Sequence, residues 1–392
     1  MKRISYILTC LLTVACTLNN IPYESLVELN IRPDYPESFP EDEKEGLSIL
    51  ITDKNLSNSY TVLTDSKGEA DIALPQGIYR INLSHKSGQV VYNGVLERLV
   101  LKTKGEAVLE LKASKAGDLV IKEIYCGGCS KYPEEGNYAS DSYIILHNNS
   151  SSTIFLDSLC FATLDPYRSG ATNVWEDIDF LPVVQAIWQI GGTGTSFPLE
   201  SGKDAVIVIF GAIDHTVMYP LSVNLNNADY FVCYNSNYFA NTTYHPAPGP
   251  QIRPDHLLNV VAKVGIANAY VFAQQSPAPV IFRAPEGTDL YAYVQANIIQ
   301  KPGSTVDQII KLPYEWVIDG VEVFEKGANN KKRFPEEIDA GAIEFSGPHY
   351  GHTLFRKTDE QYTNTLGFEV LIDTNNSTND FYERETQSLH EN

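Results

Sequence analysis

The chain has 392 residues and a formal charge of −20 at pH 7. So acidic a balance argues against nucleic acid as a partner and against an electrostatic grip on an anionic membrane, because both need clustered basic residues. The length exceeds the roughly 250–300 residues at which a single core stops growing, so two domains are the default expectation.

The first predicted element is a targeting segment. Lys2 and Arg3 precede a short apolar run from Ile4 to Ala15, and the run stops at Ala15-Cys16. A basic start, a short apolar run and a small residue before the cut fit a secretory signal. A cysteine placed directly after that residue fits a bacterial lipoprotein, so residues 1–15 are the expected signal peptide and Cys16 the expected lipidation site. The run is too short to span a bilayer core of about 30 Å, and no later segment approaches the roughly 20 apolar residues a span needs. Acyl chains on Cys16 would therefore supply the membrane attachment, each buried CH₂ contributing about 0.8 kcal/mol. Residues 16–25 read as a lipidated tether.

Strands are predicted from there on. Val27-Glu28-Leu29-Asn30-Ile31 alternates apolar and polar residues, the period of a half-buried strand. Leu47 to Thr52, Tyr60 to Thr64, Ala70 to Leu74, Ile78 to Leu83 and Val100 to Lys112 follow, with a tight turn at Asp65-Ser66-Lys67-Gly68. Short strands with turn signals at this spacing predict a β-sandwich over residues 26–113. On Thr64-Asp65, Gly68, Ala70, Ile72, Leu74, Gly77 and Tyr79 this stretch resembles the prealbumin-like, or carboxypeptidase-regulatory-like, sandwich. Ala113 to Gly117 reads as the boundary.

The second domain is expected over residues 118–392. It opens with strands at Asp118 to Tyr125, Tyr143 to Ser150 and Thr153 to Asp157. This succession is similar to the lamin-tail β-sandwich, with one departure: Ile145 stands where that family usually carries Glu. Val206 to Phe210 is a continuous apolar run fit for a strand buried on both faces. Together with Trp188 to Gly192, Asp214-His215, Trp316 to Val323, Lys332 to Pro335, Gly351 to Lys357 and Asp373 to Phe381, these segments resemble an uncharacterised family of Bacteroidota envelope lipoproteins. The resemblance implies an all-β chain of two sandwiches in tandem and an enlarged lamin-tail-like domain closed by its last segment. It also implies an outer-membrane setting, with TonB-dependent transporters as neighbours. Periplasmic and extracellular faces both stay open, although the uncharged Thr17-Leu18-Asn19-Asn20 favours the periplasmic side.

Two motifs could carry chemistry. Cys126-Gly127-Gly128-Cys129 admits a small structural disulfide, because two glycines allow the tight turn a bridge needs. Free thiols, or bridges to Cys160 or Cys233, compete with it, and a redox or metal site is the third reading. Asp373, Asn375, Ser377 and Asp380 place oxygen side chains at spacings like the start of a calcium loop. Thr378 stands where that loop wants Gly and Arg384 where it wants Glu, so a turn of Asn and Asp residues is the favoured reading. No cofactor other than lipid on Cys16 is expected, apart from that calcium alternative. Gly191-Gly192-Thr193-Gly194-Thr195 lacks the ending of a phosphate loop and reads as a turn. His215, His349 and His352 form no ligand spacing and read as structural. Loop tyrosines at 132, 138, 167, 219, 234, 238 and 244 could pack, or could meet sugars or a protein partner.

The expected role is non-catalytic: an envelope lipoprotein acting as a binding or assembly component of the outer membrane, accessory to a TonB-dependent transporter. One rival is an envelope hydrolase for glycan or peptide, for which Glu176, Asp177 and Asp179, beside Trp175 and Phe180, are the densest acidic group. The other rival is a surface adhesin.

Overall fold

The computed structural model describes residues 26–390 except Ser57 and Glu176. The signal peptide 1–15, the lipidation site Cys16, the rest of the tether and Glu176 therefore lie outside the described residues. The fold is all-β, with a few short helices, and the chain divides into two compact units. The first takes in Glu41–Asn82 and Leu96–Leu109 with the strand that ends at Asp34. The second takes in Tyr35–Pro40, Leu83–Val95 and everything from Glu110 onward.

In the first unit, Leu26–Asp34 pairs antiparallel with Ala70–Pro75, and Gly105–Glu110 completes a three-stranded sheet. The alternation read from the sequence is realised: Leu29 and Ile31 are buried while Glu28 is exposed. Ser48–Asp53 pairs with Ser59–Leu63 and turns Ile49 and Ile51 inward. The turn at Asp65 forms as expected. Its carboxylate accepts the amides of Lys67 and Glu69, and Gly68 adopts φ +79°. Tyr79 is fully buried, and its hydroxyl donates to Pro75 O at 2.7 Å, tying two strand ends together.

The second unit is built on two sheets. One runs in the order Phe231–Val232, Asp204–Val208, Tyr143–Asn148, Leu119–Tyr125, Thr353–Arg356, Phe381–Arg384. The other runs Ile298–Gln300, Gln308–Pro313, Phe180–Gln189, Cys160–Leu164, Pro279–Phe282, Val317–Gly320, with Asn259–Lys263 also paired to Phe180–Gln189. Ile121, Ile144 and Ile207 of the first sheet meet Phe161, Trp188 and Ile281 of the second in one core, which makes this unit a β-sandwich.

Each sheet is also covered on its outer face, and this explains the continuous apolar runs. Ile207 points into the shared core, whereas Val206 and Val208 join Tyr125, Tyr143, Val223 and Leu225 in a second apolar layer. Ile145 sits in that outer layer. A covered face calls for an apolar residue there, and Ile145 supplies it. Among the described residues no helix is long and apolar enough to cross a membrane.

Candidate functional site

A cleft of about 790 Å³ opens in the second unit, within the roughly 300–1,000 Å³ range of small-ligand sites. Its construction starts at the end of the strand Leu119–Tyr125, where the chain turns through Cys126-Gly127-Gly128-Cys129. Gly128 has φ +71°, and a Cβ there would lie 2.0 Å from Tyr138 O. A Cβ on Gly127 would press on Phe345 and Pro348. Gly127 therefore lets the turn lie against the segment 345–351, and Gly128 lets it lie against Tyr138 and Ala139. Gly127 O accepts the amide of His349 at 2.9 Å, and Gly128 O accepts that of Gly351 at 3.0 Å. On the other side the Cys126 thiol donates to Gln274 O at 3.6 Å. One short turn thus pins two walls of the cleft.

A buried arginine holds the remaining wall. Arg333 donates to Pro166 O at 3.2 Å, Ser276 O at 2.9 Å and Pro277 O at 3.2 Å, and it pairs with Glu322 at 2.5 Å. It thereby positions the loop that carries Tyr167 and Arg168 and the segment that carries Gln274 and Gln275. Arg168 donates to Gln275 Oε1 at 3.1 Å. Among the described residues that line the cleft none is a carboxylate, and Arg168 is the full charge. His349 also lines it, with φ +73° and a buried Nδ1 that has no hydrogen-bond partner. A left-handed backbone at a non-glycine residue costs of order 1 kcal/mol and is a recurrent mark of functional positions.

The Cys126 thiol is fully buried, and burial pushes its pKa up, away from the reactive thiolate. All four described cysteines are free and buried, so the bridge expected between Cys126 and Cys129 is not formed in this structure. The glycines of that motif serve packing instead.

The other sequence-predicted positions fall elsewhere. Asp373 and Asp380 face the guanidinium of Arg356 at 3.0 and 3.5 Å. Asn375 donates to Ser114 Oγ at 2.8 Å, and Ser377 donates to Glu322 O at 3.3 Å. The cation beside these carboxylates is the guanidinium of Arg356, and among the described residues no group of three or more His, Cys, Asp and Glu is placed to hold a metal ion. Asp177 and Asp179 are exposed, while Trp175 donates its indole N–H to Asp165 at 2.8 Å and packs edge-on to Phe180. His215 meets Tyr138 Oη at 2.6 Å and Gly211 O at 2.5 Å, and burial lowers its pKa to about 4. Both ring nitrogens are engaged in these contacts. His352 is paired with Glu383 at 2.6 Å. Asp157 accepts the backbone amides of Gly194, Ser196 and Phe197, at and just after the Gly-rich segment read as a turn.

The tyrosines divide. Tyr138 packs tilted against Tyr219 and Tyr234 stacks on His245, whereas Tyr132, Tyr238 and Tyr244 are exposed, Tyr244 at the cleft. Sequence reasoning did not single out Arg168, Gln274, Gln275 or Arg333 as site residues. They lie in separate loops without a shared spacing, and only the folded chain brings them together.

These features define an all-β chain whose larger unit is a sandwich with a cleft built from loops. A family model described as "Protein of unknown function (DUF4876)" matches residues 200–388. The chain is similar to the crystal structure of a DUF4876 family protein from Bacteroides thetaiotaomicron VPI-5482. The two are 24% identical over 91% of this chain and 94% of that one, with a TM-score of 0.58, a likeness of fold. The Bacillus anthracis TIE protein overlaps 48% of this chain and 28% of its own at 18% identity, with a TM-score of 0.19. A DUF3823 family protein from Parabacteroides merdae ATCC 43184 overlaps 43% of this chain and 82% of its own at 14% identity, also with a TM-score of 0.19. No curated protein matches the chain.

Proposed function

We propose that the protein is a non-catalytic lipoprotein of the Bacteroidota outer membrane, anchored through Cys16, whose larger unit presents a binding cleft to an envelope partner. A TonB-dependent transporter is the partner that the sequence resemblance implies. The observation that carries the reading is the cleft itself: loops held by buried groups and lined by aromatic, amide and hydroxyl side chains, with no carboxylate among the described lining residues and so no carboxylate pair of the kind glycoside hydrolysis uses. Asp177 and Asp179, the acidic group of the hydrolase alternative, are absent from that lining. The resemblance to an enlarged lamin-tail domain behind a small prealbumin-like sandwich fits presentation, in which the small module spaces the larger one from the membrane.

Two experiments test it. Labelled palmitate should enter the full chain, and Cys16→Ala should abolish both labelling and sedimentation with the outer membrane. Solubilisation in mild detergent followed by pull-down should co-purify a β-barrel transporter. A labelled chain that purifies alone and cleaves glycans or peptides in a substrate screen overturns the reading.

A further inference from the structure

We propose that the cleft between the Cys126–Cys129 turn and the Arg168 loop binds a carboxylated sugar chain, with the ligand's carboxylate on Arg168 and its hydroxyls on the surrounding amides and His349. The inference deepens the contact reading above and rests on it.

Charge is the first argument. The chain carries 49 acidic residues against 29 basic ones, yet none of the described residues lining this cleft is Asp or Glu. Arg168 is exposed at its wall, and among the described residues its recorded partner is the neutral amide of Gln275. An unneutralised guanidinium in a carboxylate-free recess of an acidic protein selects for an anion, and its planar fork matches a carboxylate.

Side-chain chemistry is the second. Asn137, Gln274 and Gln275 each offer a donor and an acceptor, and Tyr167 and Tyr244 add ring faces and hydroxyls. Sugar hydroxyls both donate and accept, and sugar rings present C–H faces that pack on aromatic rings. A peptide added as a strand would instead need an open strand edge. Of the lining residues only Asn137 belongs to a strand, so recognition falls to side chains.

His349 is the third. Its buried Nδ1 lacks a partner, and its backbone is held at φ +73° by the bond from its amide to Gly127 O. As a lining residue of the cleft, His349 can meet a ligand hydroxyl with the part of its ring that faces the opening. Glycine fits such a backbone more readily, so the imidazole is held at the cleft wall at a cost in backbone strain.

The test uses the full chain in mild detergent and isothermal titration with three probes: oligogalacturonate, oligomannuronate and sialyllactose, each beside its methyl ester. The expected result is binding of at least one acid, with about ten- to hundredfold weaker binding of its ester. Arg168→Met should weaken the acid by the same factor and leave the ester unchanged, and Arg168→Lys should fall between. His349→Gly should lower affinity several-fold at an unchanged or raised melting temperature, which separates a binding role from a structural one. Equal binding of acid and ester, indifference to Arg168→Met, or failure of all three acids overturns the proposal. Co-purification of a transporter by a chain that binds no acidic sugar would overturn the ligand class and keep the contact reading. Shortened oligomers in the mass spectrum would keep the ligand class and overturn the non-catalytic reading.

Discussion

Two buried arginines organise the larger unit, and they are balanced differently. Arg333 faces one carboxylate, Glu322, whose other oxygen accepts the amides of Arg333 and Phe334. Its remaining donors go to four backbone carbonyls, those of Pro166, Ser276, Pro277 and Val323. Arg356 faces three carboxylates, Asp319, Asp373 and Asp380, at 2.6, 3.0 and 3.5 Å. One positive charge cannot neutralise three negative ones in a dry interior. Burial, with help from the charge of Asp373, pushes the carboxyls of Asp319 and Asp380 up, against the pull of Arg356, whose own pKa is raised by the same neighbours. The balanced arginine is a clamp that sets loop geometry behind the cleft. The overloaded cluster ties the stability of the closing segment 373–380 to proton concentration.

Removing each arginine is the strongest way to break this comparison. Arg333→Met leaves Glu322 buried and unpaired and should cost about 3–5 kcal/mol. Arg356→Met leaves three buried carboxylates and should cost more at pH 7.5. At pH 5 the gap between the two variants should narrow, because the orphaned carboxyls can then hold protons. Guanidinium denaturation at both pH values measures it. A larger cost for Arg333→Met at pH 7.5 would show that the surplus charge at Arg356 is relieved in some other way.

A second test probes the acid limb. His215 is buried and neutral, with its pKa lowered to about 4. The unfolded chain takes up a proton near 6.5 that the folded chain refuses, so stability present above 6.5 is lost as pH falls towards 4. His215→Gln cannot take that proton. The loss between pH 6.5 and 4 should therefore be smaller in the variant, by about 2–4 kcal/mol. Asp141 acts in the opposite sense over part of this window. Burial raises its pKa to about 6 although Ser222 and Tyr125 donate to it. Comparing variant with parent at each pH isolates the histidine.

Local patterns made the architecture legible. The alternation through Leu29 and Ile31 and the unbroken run Val206 to Phe210 report burial that neighbouring strands impose on their own residues. Partners far along the chain were hidden. Gly127 and Gly128 read as a tight turn for a disulfide, because the Phe345 and Pro348 that Gly127 accommodates lie more than 200 positions away, and Gly128 gives way instead to Tyr138 and Ala139. The oxygen-rich stretch at Asp373 was visible, but the arginine that faces it and the third carboxylate, Asp319, were not. Lys332-Arg333 enters the sequence reading only as part of a resemblance, with no role of its own. Only the fold shows that Arg333 is buried and ties together segments centred near residues 166, 276 and 322.

The mildest change separates charge from shape at the overloaded arginine. One oxygen of Asp319 accepts both the amide of Ile121 and a guanidinium N–H of Arg356, each at 2.6 Å. Asn keeps an acceptor in that place, so Asp319→Asn preserves both bonds while removing one of three negative charges. A carboxyl whose pKa is raised on folding stabilises the protein fully below its unfolded value near 4, and that contribution is lost as pH rises through the raised value. The parent should therefore lose stability between pH 5 and 8, and the variant should lose less, by on the order of 1 kcal/mol. At pH 5 the parent should be the more stable of the two, and by pH 8 the difference should shrink or reverse. Equal slopes would mean that Asp319 is ionised throughout, and that Asp373 and Asp380 alone carry the surplus charge.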